Sequence, residues 1–333
     1  MRLIKRLGFC LAAAIPAVTL AACSSGGSGG TPTGPPPEVS SVIVNVIPTA
    51  DAAGVYIAED DGYFAQQGLN VKIVTNPTGN DAIGDLQNGT AQFVQGTDVT
   101  FIQAQDVGSF DSKPANLRIV ADTSQLQPGN QGLYVMPGHY DSLQQLVSAH
   151  ATVGVPADNV LGRLLISSLL TANGDSVNAL KYQIFSPEVL PVALAKGAIA
   201  AAYLPEPLGT YSEQGVGAQE LADLDQGPTA NLPVGMITAS ASWAQAHPNT
   251  VAAFQRALNE GQLVADTNRG AVQDALEKWT PDQSRLIAAS IAIDSYPLSM
   301  SAAQMQRVPD AMYEYGLLSK PFQISSIILS PQG

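Results

Sequence analysis

The chain has 333 residues, 45% of them hydrophobic and 13% charged, and its formal net charge at pH 7 is −13. This length is sufficient for two domains of ordinary size or for one large α/β unit. The acidic balance argues against nucleic-acid binding, because a protein that contacts phosphates needs a basic face and the sequence shows none.

The N-terminal segment has the layout of a bacterial secretion signal. Basic residues at the start precede an apolar run, residues 7–20, which is followed by small residues and then Cys23. The apolar run is shorter than the roughly 20 residues that span a bilayer. A cysteine directly after Leu-Ala-Ala resembles the lipobox of bacterial lipoproteins, which implies that residues 1–22 are removed and that the thiol of Cys23 carries lipid. An ordinary signal peptide with an incidental cysteine is the alternative.

The same resemblance implies a protein that works outside the cytoplasmic membrane, anchored to it by the lipid on Cys23. The other cysteine, Cys10, lies in the leader, so the mature chain is expected to have no disulfide and no cysteine metal site. Residues 24–37 read SSGGSGGTPTGPPP, in which glycine and serine give flexibility and the prolines stiffen the end. We therefore interpret residues 23–38 as the lipidated cysteine and a flexible tether.

From Val39 onward, strand patterns alternate with helix patterns. Runs rich in β-branched residues predict strands, and apolar residues at helical spacing predict helices. The predicted strands are residues 41–47, 69–74, 91–94, 118–121, 133–136, 152–155, 180–185, 199–203 and 232–238. The predicted helices between them are residues 52–67, 80–86, 98–107, 142–147, 159–172, 189–196 and 207–214. This alternation indicates an α/β fold of βαβ units, with mainly parallel sheets that helices cover on both faces.

After Ser240 the pattern is almost wholly helical. Pro248 is placed in a first turn, where its missing N–H has no partner to lose. Val251, Phe254 and Leu258 follow at helical spacing and form one apolar stripe. Further helices are predicted over residues 270–279, 281–293, 301–315 and 322–329.

Several motifs of the chain resemble the solute-binding proteins of ABC importers, in the group of the sulfonate, nitrate and thiamine-pyrimidine binding proteins. The matching segments are 44–48 (VNVIP), 56–64 (YIAEDDGYF), 67–71 (QGLNV), 86–93 (LQNGTAQF) and 193–207 (ALAKGAIAAAYLPEP). Gln92 stands where the family usually has aspartate. The aspartate that the family usually has in the second-half segment 193–207 is also absent, and Ala200 or Ala201 lies near its position. Residues 146–150 (LVSAH) replace the usual Leu-Lys-Gly-Lys turn.

The resemblance implies a type II periplasmic-binding-protein fold, in which two α/β lobes are joined by a two-strand hinge and C-terminal helices pack on the first lobe. The chain would cross between the lobes near residues 122–124 and 236–240. The implied division is 39–123 for the first part of lobe 1, 124–236 for lobe 2 and 237–333 for the helical second part of lobe 1. The implied partners are a small-molecule solute and the permease and ATPase subunits of an importer. A monomer without cofactor is expected.

Candidate ligand-binding residues follow from the expected sheets. In open parallel sheets, ligands lie beyond the carboxyl ends of the strands, where the N-termini of helices also point. The polar residues of those loops are Thr49, Asp51, Thr78, Asn80, Gln95, Thr97, Asp98, Asp158, Asn159, Glu188 and Glu206. An aspartate in such a loop is alternatively a helix cap, whereas the resemblance places Glu206 at the cleft. Tyr56 is a candidate for stacking on a flat ligand, with packing in the core as the alternative.

The charge of these loops bears on the solute. Arg163 is the basic residue nearest to them in sequence, one turn or more inside its helix, whereas a strongly anionic ligand usually meets an arginine fork. Carboxylates border the expected cleft instead. We therefore favour a neutral or cationic nitrogenous solute, such as a thiamine-precursor pyrimidine. The alternatives are sulfonate- or nitrate-type anion binding at helix N-termini and a surface subunit that senses its ligand rather than transporting it.

Catalysis is not expected. The pyrimidine-synthesising enzymes that share this fold family depend on a cysteine-rich motif and a histidine, and this chain has no cysteine after Cys23. His139, His150 and His247 are scattered without the spacing of metal ligands. No Gly-x-Ser-x-Gly elbow lies between a predicted strand and a predicted helix, and no P-loop motif occurs.

Overall fold

The computed structural model describes residues 34–75, 79–107, 116–156, 160–280 and 289–329. Its strands are β1 (Ser41–Val46), β2 (Asn70–Thr75), β3 (Phe93–Thr97), β4 (Leu117–Gln125), β5 (Gln131–Val135), β6 (Thr152–Pro156), β7 (Lys181–Phe185), β8 (Ala201–Pro205), β9 (Gln219–Asp223) and β10 (Pro233–Ser240). Its helices are α1 (Ala53–Asp60), α2 (Tyr63–Gln66), α3 (Gly79–Asn88), α4 (Asp98–Val107), α5 (Leu143–Ser148), α6 (Val160–Ala172), α7 (Leu190–Ala195), α8 (Leu208–Val216), α9 (Ala241–Ala246), α10 (Pro248–Thr267), α11 (Arg269–Trp279) and α12 (Ala302–Glu314). The predicted α/β class is confirmed.

The first sheet has the strand order β2-β1-β3-β10-β4. Strand β1 pairs in parallel with β2 and β3, whereas β10 runs antiparallel to both β3 and β4. Val42, Val44 and Val46 of β1 are all buried, as the β-branched pattern predicts. We call this sheet and the helices that cover it the first lobe.

The second sheet has the strand order β7-β6-β8-β5-β9. Strand β6 pairs in parallel with β7 and β8, and β5 runs antiparallel to β8 and β9. Strand β9 was not predicted, because its sequence, Gln-Glu-Leu-Ala-Asp, has no β-branched residue and lies at a sheet edge. We call this sheet and its helices the second lobe.

The expectation of mainly parallel sheets was wrong, since each sheet combines two parallel with two antiparallel pairings. In the first lobe, β10 returns only after the second sheet is complete and then inserts between β3 and β4. A strand that returns from the other lobe has no helical crossover from its neighbour, and such a crossover is what keeps neighbouring strands parallel within βαβ units.

Two helix predictions were wrong in detail. The segment 52–67 is not one helix, because the chain turns at Gly62 with a φ of 75° and thereby separates α1 from α2. The segment 322–329 contains only a 3-10 turn, Ile324–Ser326, and Ile328 then pairs with Ile119 of β4. That pairing covers backbone groups of an edge strand, which a helix would have left open. The predicted helix over 281–293 lies mostly outside the described residues.

The later helices pack on the first lobe, as expected from the resemblance. Helix α10 contacts α1 and α2, and α11 also contacts α1. Phe254 of α10 stacks on Phe64 and Phe93, with ring centroids 5.0 Å and 4.1 Å apart. Helix α12 instead touches α4 of the first lobe and α6 of the second.

Residues 126–130 and 224–232 carry the chain between the two sheets. The side-chain amide of Gln127 donates to Asn231 Oδ1 (3.0 Å) and to Ser295 Oγ (3.1 Å), so the two passages lie side by side. The proposed lobe boundaries at 123/124 and 236/237 stay predictions. Within the described part of the chain, no helix has the length and apolar character needed to cross a membrane.

Candidate functional site

Asp51 connects the end of β1 to β4. After β1 the chain enters a 3-10 turn, Ala50–Ala52, whose N-cap residue Thr49 makes no side-chain capping bond. The Thr49 hydroxyl donates to Asp51 Oδ2 (3.1 Å), and the Ser124 hydroxyl of β4 donates to Asp51 Oδ1 (3.3 Å). Asp51 is therefore held between two strands of the sheet rather than used as a cap.

Asp98 is the first residue of α4 and directly follows β3. It is fully buried, and neither of its carboxylate oxygens has a hydrogen-bond partner. The first turn of α4 is closed by Thr97, whose hydroxyl accepts from the backbone N–H of Thr100 (3.4 Å) and pairs with its hydroxyl (2.8 Å). Burial raises the pKa of Asp98 well above its usual range, and the nearby negative charges of Asp122 and Asp51 raise it further.

Two further carboxyl groups complete a cluster around Asp51 and Asp98. Asp122 lies within β4 and is 2% exposed, and burial raises its pKa to about 7. Asp294 precedes the segment that pairs with the end of β4. Burial raises the pKa of Asp294 well above its usual range, as do the charge of Asp51 and a hydrogen bond with it. We call Asp51, Asp98, Asp122 and Asp294 the acidic cluster.

Two neutral polar side chains of the first lobe, Gln95 and Tyr56, are also buried. Gln95 of β3 is 1% exposed; its Oε1 accepts from the Ile47 N–H (3.1 Å), and its Nε2 has no partner. The Tyr56 ring stacks on Trp279, with centroids 5.4 Å apart. The Tyr56 hydroxyl is buried without a partner, and burial and then the charge of Asp51 raise its pKa.

Glu206 is the corresponding residue of the second lobe, at the end of β8. Its Oε2 accepts from the Thr210 N–H (3.2 Å) and its Oε1 from the Thr210 hydroxyl (2.7 Å), so it binds the first turn of α8. Its own N–H donates to the Asn130 carbonyl (2.8 Å), and the bond to Pro207 is cis. Burial raises the pKa of Glu206.

Of the other candidate residues, two lie in described segments of the chain. Asn80 lies in α3, and Glu188 is exposed in the loop between β7 and α7. The remaining candidates, Cys23, Thr78, Asp158 and Asn159, lie outside the described residues.

Sequence reasoning missed Asp122 and Asp294 as site residues. Asp122 had a usable signal, since it is a lone acidic residue within the strand sequence Ile-Val-Ala-Asp-Thr and such a residue is seldom buried without a reason. Asp294 had none, because it comes next to its partners only through the pairing of Ser295 with Gln125.

The basic and metal-binding side chains of the described residues lie elsewhere. Arg163, the arginine nearest to the candidate loops in sequence, lies over the ring of Tyr182 at 5.3 Å. His150 Nδ1 lies 3.3 Å from the Ala179 carbonyl, and His247 Nδ1 lies 2.8 Å from that of Trp243. Among the residues that the structure describes, no group of three His, Cys, Asp or Glu side chains is arranged to hold a metal ion.

Several solved structures share the fold of this chain. The Staphylococcus aureus ligand-binding component of an ABC-type import system, solved with zinc bound, has a TM-score of 0.72 at 15% identity, covering 87% of this chain and 97% of that one. The alkanesulfonate-binding protein SsuA of Xanthomonas axonopodis pv. citri, bound to MOPS, has a TM-score of 0.69 at 17% identity, covering 88% and 99%. The nitrate-binding protein NrtA of Synechocystis has a TM-score of 0.72 at 16% identity, covering 88% and 86%.

At these identities the likeness shows the fold, and it confirms the predicted periplasmic-binding-protein fold with two lobes. A comparison with curated protein sequences gave no match. The sequence model of the family described as NMT1/THI5-like matches residues 49–268, a range that includes the first-lobe residues Asp51, Asp98 and Asp122 and the second-lobe residue Glu206. Since that match covers more than half of the chain, this protein belongs to the NMT1/THI5-like family.

Proposed function

We propose that this protein is the solute-binding component of an ABC importer, which captures a small organic solute between its two lobes and delivers it to a membrane permease. The observation that carries the proposal is the group of buried polar side chains without partners at the carboxyl ends of β1 and β3, above all Asp98. In open α/β sheets this edge is where ligands bind. The similar solved proteins, which include the ligand-binding component of an ABC-type import system, an alkanesulfonate-binding protein and a nitrate-binding protein, support a transport role.

The connection between the lobes suits a binding protein. The two passages lie side by side and are joined through Gln127 and Asn231. Paired connections of this kind allow hinge closure of two lobes around a ligand. The buried polar groups of the described site are carboxylates, an amide and hydroxyls, which are the groups that fix and orient a small molecule.

The solute is expected to be nitrogenous and either neutral or cationic, for example a thiamine-precursor pyrimidine. Carboxylate acceptors without partners favour a solute with N–H donors. Binding of a sulfonate- or nitrate-type anion by the same fold is the alternative, and its support is that two of the similar structures carry those ligands in their names. In a second alternative, the same cleft reports its ligand to a sensor partner.

We further infer that lipid on Cys23 anchors the protein outside the cytoplasmic membrane. The support is the resemblance of Leu-Ala-Ala-Cys to a lipobox. When the full gene is expressed, the Cys23→Ser protein should be absent from the membrane fraction. The unaltered protein should remain in that fraction, and its N-terminal peptide should show the mass increase of the attached lipid. Equal membrane association of both forms would contradict the anchor.

The solute-binding proposal is tested on the full-length protein, purified in detergent, by thermal denaturation with thiamine precursors, amines, amino acids, sulfonates, nitrate and purines. A ligand that binds only the folded state adds about 2.7 kcal/mol to its stability at a hundredfold excess over Kd. The same ligand should lower the radius of gyration in X-ray scattering, because the lobes close. If no class of solute raises the unfolding temperature, and none is released when the purified protein is denatured, the proposed function is wrong.

A further inference from the structure

We propose that the acidic cluster binds the protonated amine of an organic cation, so that the solute of this protein is a primary amine or diamine and not an anion. This inference rests on the proposed solute-binding function and names the chemical class of its solute. The residues that carry it are Asp51, Asp98, Asp122 and Asp294 together with Tyr56.

Asp98 gives the first argument. A buried carboxylate is normally paired or hydrogen-bonded, because removing its hydration without compensation costs several kcal/mol. Asp98 is fully buried, and both of its oxygens lack a partner. It also lies within electrostatic reach of Asp122 and Asp51, which increases the cost. A bound ammonium group would supply up to three N–H donors and a compensating charge at this point.

Tyr56 gives a second argument, which does not depend on carboxylates. Its hydroxyl is fully buried, has no partner and lies close enough to Asp51 to be influenced by its charge. The stacking of its ring on Trp279 fixes the position of this hydroxyl. A hydroxyl oxygen beside carboxylates is one more acceptor, and an ammonium group has only donors.

The described residues of the protein provide no cation of their own to this cluster. Two ion pairs that join described residues to each other link Lys278 to Asp60 and Lys320 to Asp106, and neither involves the cluster. Arg269 acts on Tyr296 nearby, but its guanidinium donates to backbone carbonyls, including that of Ile291. The cluster also does not have the arrangement of a metal site, whereas an alkylammonium ion tolerates wider spacing between its acceptors.

Protons can also neutralise the carboxylates of the acidic cluster. Their release or uptake on binding therefore distinguishes a cationic from an anionic solute. Three titratable groups from neighbouring elements interact electrostatically with the cluster. Asp225 interacts with Asp294, and Tyr56 and Tyr296 each interact with Asp51. Burial raises the pKa of Asp122 to about 7, so without ligand this group is partly protonated at pH 7, and burial raises the pKa values of Asp98 and Asp294 well above their usual range. A cation lowers these pKa values, so its binding must release protons, whereas an anion raises them and must take protons up.

The test is calorimetric titration of the full-length protein at pH 7 in two buffers with different heats of ionisation. The probes are 1,4-diaminobutane, lysine and an aminomethylpyrimidine, each compared with its hydroxyl analogue, together with butane-1-sulfonate and nitrate. We expect an amine to bind with net proton release and its hydroxyl analogue to bind at least about tenfold more weakly. Binding of a sulfonate, of nitrate or of a neutral solute in preference to every amine would overturn this inference and leave the proposed function standing. Binding of no probe and no other solute would instead contradict the proposed function itself.

Two variants locate the amine. Asp98→Asn should weaken amine binding by at least about tenfold, since it removes a charge from the buried site, and Tyr56→Phe should weaken it by a smaller factor. Asp141→Asn, which removes an exposed carboxylate before α5, is the matched control and should leave the affinity unchanged. The ligand-free Asp98→Asn protein should unfold at no lower temperature than the unaltered one, so that lost binding cannot be due to misfolding. Unchanged amine affinity in folded Asp98→Asn would overturn the assignment.

Discussion

Thr210 binds the buried carboxylate of Glu206 at two points, through its backbone N–H and its hydroxyl. The two residues fix the junction between β8 and α8. Hydrogen bonds to charged groups contribute more than neutral ones, and a buried oxygen that loses its donor incurs a desolvation cost. The Thr210 hydroxyl is therefore a stabilising contact as well as a positioning one.

We expect Thr210→Val to lower the free energy of unfolding by about 1.5–3 kcal/mol, because the side chain keeps its shape while Glu206 Oε1 loses its donor. The measurement is urea unfolding of the ligand-free protein at pH 7. Thr171→Val, on the exposed side of α6, is the matched control and should change stability by less than about 0.5 kcal/mol. Equal effects of the two substitutions would show that the Thr210 hydroxyl contributes nothing.

The sequence predicted Asp51 and Asp98 as candidates because each lies in the segment that follows a strand. Asp51 and Asp98 could be placed together because the carboxyl ends of β1 and β3 meet at one edge of the sheet. Asp122 lies inside β4, where its only local signal was that of a lone acidic residue within a strand pattern. Asp294 reaches the cluster through a distant pairing, so no local pattern marked it. The sequence left open whether Asp98 caps α4. The structure shows that the Thr97 hydroxyl bonds the first turn of this helix and that Asp98 does not.

At the scale of elements, α1 and α10 cross at a point of backbone contact. Gly54 of α1 and Gly261 of α10 face each other there, and a Cβ on Gly261 would lie 2.2 Å from the Gly54 carbonyl oxygen. The next residue of α10, Gln262, donates from its side chain to the Asp122 carbonyl (3.0 Å). The close crossing therefore sets the position of α10 relative to β4 and to the acidic cluster.

Gly261→Ala should destabilise the fold by roughly 1–3 kcal/mol or more, because backbone atoms cannot move aside as flexible side chains can. Gly84→Ala in α3 makes the same chemical change at a position with no neighbour within 4 Å. That control should be neutral or stabilising by up to about 1 kcal/mol, since alanine favours helix over glycine. Thermal or urea unfolding compares the two, and a Gly261→Ala protein as stable as Gly84→Ala would refute the close contact.

Element positions could be predicted well from the sequence, but strand directions could not. Hydrophobic periodicity located nine of the ten strands, because it depends on neighbours in the chain. The antiparallel insertion of β10 and the pairing of Ile328 with β4 depend instead on segments far apart in sequence. The segment 322–329 was predicted to be a helix, although a short apolar run is equally compatible with a helix and with an extended segment.

At the scale of the whole molecule, the buried carboxyl groups set how stability depends on pH. Burial raises the pKa of Asp122 to about 7 and that of Asp225 to about 8, and Asp98 and Asp294 are raised well above their usual range. In the unfolded chain an aspartate has a pKa near 3.9. Between these values the folded protein binds more protons than the unfolded one, so its free energy of unfolding falls as pH rises.

We therefore expect the ligand-free protein to be more stable at pH 5 than at pH 8, with the decrease spread over that interval. Each unit of difference between folded and unfolded pKa is worth about 1.4 kcal/mol, so several groups together should give a loss of a few kcal/mol. Urea unfolding at pH 5, 6, 7 and 8 measures it. Asp122→Asn should flatten the curve, because its amide does not titrate, whereas Asp141→Asn, at an exposed site, should leave the slope unchanged. Stability that stays constant or rises from pH 5 to pH 8 would mean that the cluster is already compensated without ligand, and the chemical need for a cation at this site would disappear with it.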